Sequence, residues 1–149
     1  MGCPSTSFFE RCKKCKACCK AASSFVRIYV CRHEEDLIKL LRADGMDEAY
    51  ITVPPSASCR FLGDDGCILG DIKPFQCRLY PLLILSDGSL GLDPACTYSG
   101  EYISRLSDHS SDARRHLEAM KREAATLTDK ERQLLAEWSR YVCDIVKLY

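Results

Sequence analysis

Hydrophobic and polar positions change their rhythm three times along this chain. Residues 1–20 show no apolar periodicity and cannot bury a core unaided. Residues 24–30, Ser-Phe-Val-Arg-Ile-Tyr-Val, are rich in β-branched and aromatic side chains and predict a strand. A short helix is predicted over residues 34–43. Leu37, Leu40 and Leu41 share one face there, acidic residues fill the first turn, and Gly45 stands just past the end as a stop. Residues 46–50 are read as a further turn, after which Pro54 and Pro55 force extended backbone.

From Cys59 onward, short apolar pieces alternate with turn residues. Cys59-Arg-Phe-Leu and Cys67-Ile-Leu flank Gly63-Asp64-Asp65-Gly66, the pattern of a hairpin. Leu82 to Leu85 and Leu90 to Leu92 flank Ser86-Asp87-Gly88-Ser89 and predict a second hairpin, which delivers the chain to Cys96. Between the two, Pro74 is placed to open a short helical turn that ends before Pro81.

Beyond residue 100 the spacing becomes helical. Ile103, Leu106, Ala113, Leu117, Met120, Ala124 and Leu127 step by threes and fours, apart from a gap at the polar cluster 107–112. Thr128-Asp-Lys-Glu131 is a capping box for a last helix, along which Leu134, Leu135, Trp138, Tyr141, Val142, Ile145, Val146 and Tyr149 form one apolar stripe. The two helices are expected to pair as a hairpin. The expected fold is therefore α+β: a small cysteine-rich region of short hairpins and helices over residues 1–100, closed by a C-terminal helical pair over residues 101–149, one domain overall.

Composition narrows the function. The 149 residues carry 21 basic and 21 acidic side chains, a balance that argues against the broad positive footprint of a nucleic-acid binder. No apolar run approaches the roughly 18 residues of a membrane span. Phe8-Phe9 is followed at once by Glu10-Arg11, so the start lacks the apolar stretch of a signal peptide, and a cytoplasmic protein is expected. Met1-Gly2-Cys3-Pro4-Ser5-Thr6 also fits a myristoylation consensus. Cys3 would be available there for palmitate, and Arg11, Lys13, Lys14, Lys16 and Lys20 would form a basic second anchor. The alternative is an ordinary frayed start.

Eleven cysteines dominate the chemistry, and ten of them precede residue 97. A chain of this length buries about 70% of its unfolded surface and does not need covalent staples. In a reducing compartment dense thiols are read first as metal ligands or redox groups. Cys12-Lys-Lys-Cys15-Lys-Ala-Cys18-Cys19 is the strongest signal. Its first three cysteines have the spacing that places three thiolates on one iron–sulfur cluster, while a C-x2-C step equally builds a zinc knuckle. Spacing alone does not name the metal. The neighbouring lysines either stabilise thiolate or form a solvated basic loop. Successive side chains diverge in extended backbone, so Cys19 serves a second site or reaches the first through an unusual turn. Cys59, Cys67, Cys77 and Cys96 each stand beside a turn or strand end and bring the candidate ligands to eight, against the alternative of buried apolar thiols. Eight thiolates allow two four-thiolate centres, or one [4Fe-4S] cluster with spare cysteines.

These residues resemble the cysteine-cluster, zinc- or iron-chelating proteins of YkgJ type. The resemblance runs through Cys12-x2-Cys15-x2-Cys18-Cys19, Cys59-Arg-Phe-Leu with Gly66-Cys67-Ile, Lys73-Pro74-Phe75-Gln76-Cys77-Arg78-Leu79-Tyr80-Pro81, and Cys96, covering residues 12–100. It implies that the matching cysteines are metal ligands. It also implies a cluster similar to that of flagellin lysine methylases, which favours iron over structural zinc. An enzyme or accessory of methyl or group transfer, acting on a protein partner, is a further implied class. Arg78 and Tyr80 match the family's C-R-x-Y-P run. Both side chains are able to donate hydrogen bonds to cluster sulfurs, the alternative being a surface arginine and a packed tyrosine. Cys31 and Cys143 have no counterpart in the pattern and are read as packing residues. His33-Glu34-Glu35-Asp36 resembles the start of a zinc-protease motif but has Leu37 where the second histidine belongs. His109 and His116 are read as surface residues.

Overall fold

The computed structural model describes residues 26–54, 58–64, 66–94, 96, 98–140, 142 and 144–148. The fold is α+β, with short antiparallel hairpins and, among these residues, five α-helices. Two compact units divide the chain, the first ending at Arg78 and the second beginning at Leu79.

In the first unit, β1 (Val26–Tyr29) pairs antiparallel with β2 (Tyr50–Val53), Ile28 opposite Ile51. Along β2, Ile51 and Val53 are buried while Thr52 between them is exposed, the two-residue period of a half-covered strand. That strand lies where only a turn and extended backbone are predicted, because four residues hold too few periods to register as a pattern. Helix α1 (Glu35–Ala43) connects the strands and buries Leu37 and Leu41, each worth about 1.5–3 kcal/mol when fully covered. It stops where the sequence places its stop. Gly45 adopts φ 70°, a left-handed setting natural to glycine, and donates to the Arg42 carbonyl, while Met46 donates to the Leu41 carbonyl.

The predicted first hairpin is present as β3 (Leu62–Gly63) and β4 (Gly66–Cys67), with Leu62 opposite Cys67. A 3-10 turn at Gly70–Ile72 leads to α2 (Phe75–Leu79), which Pro74 opens as expected, its carbonyl accepting from the amides of Cys77 and Arg78. These pieces enclose one core of Ile28, Val30, Leu37, Leu41, Ile51, Val53, Phe61 and Leu69.

The second unit holds the second predicted hairpin, β5 (Leu82–Ile84) and β6 (Leu90–Leu92), every residue of both strands buried. Three helices follow: α3 (Ser99–Arg105), α4 (Asp112–Ala124) and α5 (Asp129–Ser139). Ser111 caps α4, its hydroxyl accepting from the Arg114 amide at 3.1 Å. The capping box of α5 closes reciprocally: the Glu131 amide donates to Thr128 Oγ1 at 3.2 Å, and the Thr128 amide donates to Glu131 Oε1 at 3.1 Å.

Three features of this unit differ from the sequence reading. The last helix ends at Ser139 instead of running towards Tyr149, and Val146–Lys147 form a strand, β7, antiparallel to β6. Val142, Ile145 and Val146 are β-branched and suit a strand, and glycine at position 91 leaves space into which Ile145 packs. The principal packing partner of α4 is α3, and that of α5 is β5, so each stripe finds a different surface. His116 is buried at 5% exposure, a correction to its reading as a surface residue. It shares the face of Ala113, Leu117 and Met120, and its Nδ1 meets the Tyr102 hydroxyl at 2.8 Å. Burial raises the Tyr102 phenol above its ordinary range. No helix among the described residues is long and apolar enough to cross a membrane.

Candidate metal centre

Three predicted ligands are brought to the margin of the first unit's core. Cys59, Cys67 and Cys77 are all half-buried and packed against the cluster that contains Phe61 and Leu69. Local backbone explains each placement. The Cys59 carbonyl accepts from the Leu62 amide at 3.0 Å, folding the chain so that Cys59 stands one turn before the residue that pairs with Cys67. The Ile68 amide then donates to the Phe61 carbonyl at 2.8 Å and extends the ladder past Cys67. Cys77 lies in the middle of α2, reached from Cys67 through the 3-10 turn.

Cys31 contrasts with these three. At 0% exposure it is engulfed, as its reading as a packing residue anticipates, whereas Cys59, Cys67 and Cys77 keep one side towards water. Thiolate sulfur suits soft ions such as zinc and the iron of iron–sulfur clusters, so the donor chemistry of Cys59, Cys67 and Cys77 fits the group the sequence pattern implies. Cys96 belongs to the second unit. It is half-buried in the turn that enters α3, its amide donating to the Asp93 carbonyl and its carbonyl accepting from the Ser99 amide. Cys12, Cys15, Cys18 and Cys19 lie outside the described residues, as do Cys3 and Cys143. Among the described residues, no three Cys, His, Asp or Glu side chains are grouped closely enough to hold an ion by themselves.

Arg78 and Tyr80 are anchored to carboxylates. The Arg78 guanidinium donates to the Lys73 carbonyl at 2.9 Å and to Glu34 Oε1 at 3.4 Å, and stands over the Phe75 ring. The Tyr80 hydroxyl donates to Oδ2 of the buried Asp93 at 2.5 Å.

Glu34 is the polar centre of the first unit, and the sequence reading missed it. Its carboxylate is buried at 9% exposure. Oε2 accepts from the Cys31 amide at 2.8 Å, and Oε1 accepts from the Phe75 amide at 2.5 Å. Burial pushes its pKa up, an effect offset in part by those two amides and by the positive charge of Arg78. The signal was in the spacing: positions 34, 37 and 41 share a helical face with two buried leucines. A second tie sits beside it, since Gln76 Oε1 accepts from the Tyr29 amide of β1 at 2.8 Å.

A surface groove of about 520 Å³ on α4 is lined by His109, Arg114, Arg115, Glu118, Ala119 and Arg122, and contains none of the predicted site residues. Arg114 and Arg115 are engaged there with Glu118 and Asp112.

No protein-family model, curated protein or solved structure matches this chain.

Proposed function

We propose that this protein binds metal through its cysteines, as an iron–sulfur protein of electron transfer, redox sensing or metal delivery. The observation that carries the reading is the contrast among the cysteines of the first unit. Cys59, Cys67 and Cys77 border a single core with their thiols half-shielded, while Cys31, equally available in sequence, is engulfed. A thiol acting only as a small hydrophobe gains most by the second arrangement. The Cys12-x2-Cys15-x2-Cys18-Cys19 run, whose cysteines the resemblance to YkgJ-type proteins implies are metal ligands too, supplies further thiolates for the same centre or for a second one. Cys96 completes the eight candidates. A bound cluster would supply one-electron chemistry, and the chain would hold it through these thiolates, three of which pack against the first unit's apolar core. The cysteine density fits a reducing, cytoplasmic setting, where such thiols persist without oxidation to disulfides.

The test is the iron, zinc and acid-labile sulfide content of anaerobically prepared protein, together with its visible absorption. Iron and sulfide in similar amounts with broad sulfide-to-iron absorption support the proposal. Stoichiometric zinc in a colourless protein replaces the cluster by a structural zinc site. Absence of every metal, with the cysteines reacting as ordinary thiols, overturns metal binding altogether.

A further inference from the structure

Resting on that metal-binding reading, we propose that Glu34 and Gln76 are positioning residues for Cys77, a two-point clamp that sets the helix carrying this thiolate. Helix α2 has only five residues, too few to hold its own orientation through internal hydrogen bonds. It is fastened instead from outside. The Glu34 carboxylate takes the amide of Phe75, two residues before Cys77, and with its other oxygen takes the amide of Cys31. Gln76, the residue next to Cys77, holds the amide of Tyr29 in β1. Arg78, on the other side of Cys77, closes the same carboxylate and ties back to Lys73. Phe75, Gln76 and Arg78 flank the cysteine, Phe75 and Arg78 sharing the Glu34 carboxylate while Gln76 reaches β1 and Arg78 also reaches Lys73.

Packing alone does not account for this choice. A carboxylate taken out of water pays desolvation that an apolar side chain of the same volume avoids, and replacing buried charged groups by hydrophobic ones is often neutral or stabilising. What a carboxylate adds is direction. Two amides from two segments meet its two oxygens, so the rotation and depth of α2, and with them the direction of the Cys77 Cα–Cβ bond from which the thiol swings, are specified to within hydrogen-bond tolerance. Groups bonded directly to a metal ligand typically change metal affinity by about 10–100-fold when removed, and a clamp on the helix that carries the ligand is expected near the lower end of that range.

The test uses the full chain, freed of metal and titrated anaerobically with cobalt(II), whose sulfur-to-metal and ligand-field bands report both affinity and the geometry of the thiolate set. Glu34→Gln keeps the size of the side chain but turns an NH2 group towards one of the two amides. Gln76→Ala removes the second tie with little loss of packing, and decides the matter should Glu34→Gln fail to fold. Ile51→Val is the control, since it loses one methylene from the same core and touches neither tie. The expected result is cobalt affinity lowered about 10-fold or more in both clamp variants, with shifted ligand-field bands, while Ile51→Val binds and absorbs like the wild type despite a lower denaturation midpoint. Wild-type affinity and spectra in Gln76→Ala, or an equal loss in Ile51→Val, overturn the clamp and leave metal binding standing. A wild-type chain that takes up neither cobalt nor a reconstituted cluster overturns metal binding, and the clamp with it.

Discussion

Replacing Gly91 by alanine tests the most consequential departure from the sequence pattern, the strand that takes the place of the end of the last helix. Gly91 lies in the middle of β6, between β5 and β7, opposite Leu83 on one side and Lys147 on the other. A Cβ placed there would stand 2.5 Å from Ile145 Cγ2, and 3.2 and 3.3 Å from the two terminal methyls of Leu85. The first of these distances is far inside van der Waals contact, so Ile145 must move, and with it the entry into β7. Overpacking of this kind costs about 1–3 kcal/mol. Against it stands the gain from removing a flexible glycine from a strand, about 0.5–1 kcal/mol. The clash wins, and Gly91→Ala is expected to lose about 1–2 kcal/mol. In a chain of this size each kcal/mol moves the thermal midpoint by about 2–4 °C. The assay is urea denaturation followed by circular dichroism, carried through a double-mutant cycle with Ile145→Ala. Because alanine at 145 has no Cγ2 to strike, the two substitutions should be less damaging together than their sum, with a coupling of about 1 kcal/mol. A neutral or stabilising Gly91→Ala, additive with Ile145→Ala, would refute the placement of Ile145 over Gly91 and favour a helix continued beyond Ser139.

Other outcomes follow from the buried polar groups and the proposed centre. Tyr102→Phe removes the hydroxyl from the buried His116 and should destabilise the fold by about 1–3 kcal/mol in urea denaturation, whereas His109→Ala, on an exposed residue, should leave the midpoint unchanged. Burial raises the Glu34 pKa in the folded state, so the fold binds a proton there that the unfolded chain has already released. Stability owed to this group is full at acid pH and is lost as pH rises from the ordinary carboxylate value through the raised one. Denaturation midpoints of the wild type and Glu34→Gln, measured across that window, should therefore separate with the wild type falling relative to the variant; parallel profiles would contradict the shift. Chelation of the metal-loaded protein should lower its thermal midpoint in a manner that restored metal reverses, because an ion held only by the folded state stabilises it by mass action. An unchanged midpoint would show that metal makes no contribution to the fold.

The local setting of Cys59, Cys67 and Cys77 was legible because it depends on neighbouring residues alone. The positions of Cys59 beside a turn, Cys67 at the end of a hairpin and Cys77 within a Pro-initiated helical turn all follow from residues within a few places of each. The polar residues that support them were not legible. Glu34 looks like an ordinary acid in the first turn of a helix, and only the arrival of Phe75, 41 positions later, makes it a buried acceptor. Asp93 becomes the partner of Tyr80 through the pairing of β5 with β6, and Gln76 becomes a tie only because β1 passes beside it.

The order of short hairpins and amphipathic helices, the caps at Thr128 and the stop at Gly45 were determined by the sequence itself, since each depends on side chains one turn or less apart. Tertiary structure decided which surfaces those elements cover. The apolar stripe after Ser139 satisfies a helical period and a strand's preference for β-branched residues equally well, and the contest is settled by an open backbone edge on β6 and the space above Gly91. His116 was settled in the same way, its burial arising from a face shared with Leu117 and from a hydroxyl offered by another helix. Periodicity specifies that a face will be covered; what covers it depends on hydrogen-bonding and packing partners distant in the chain.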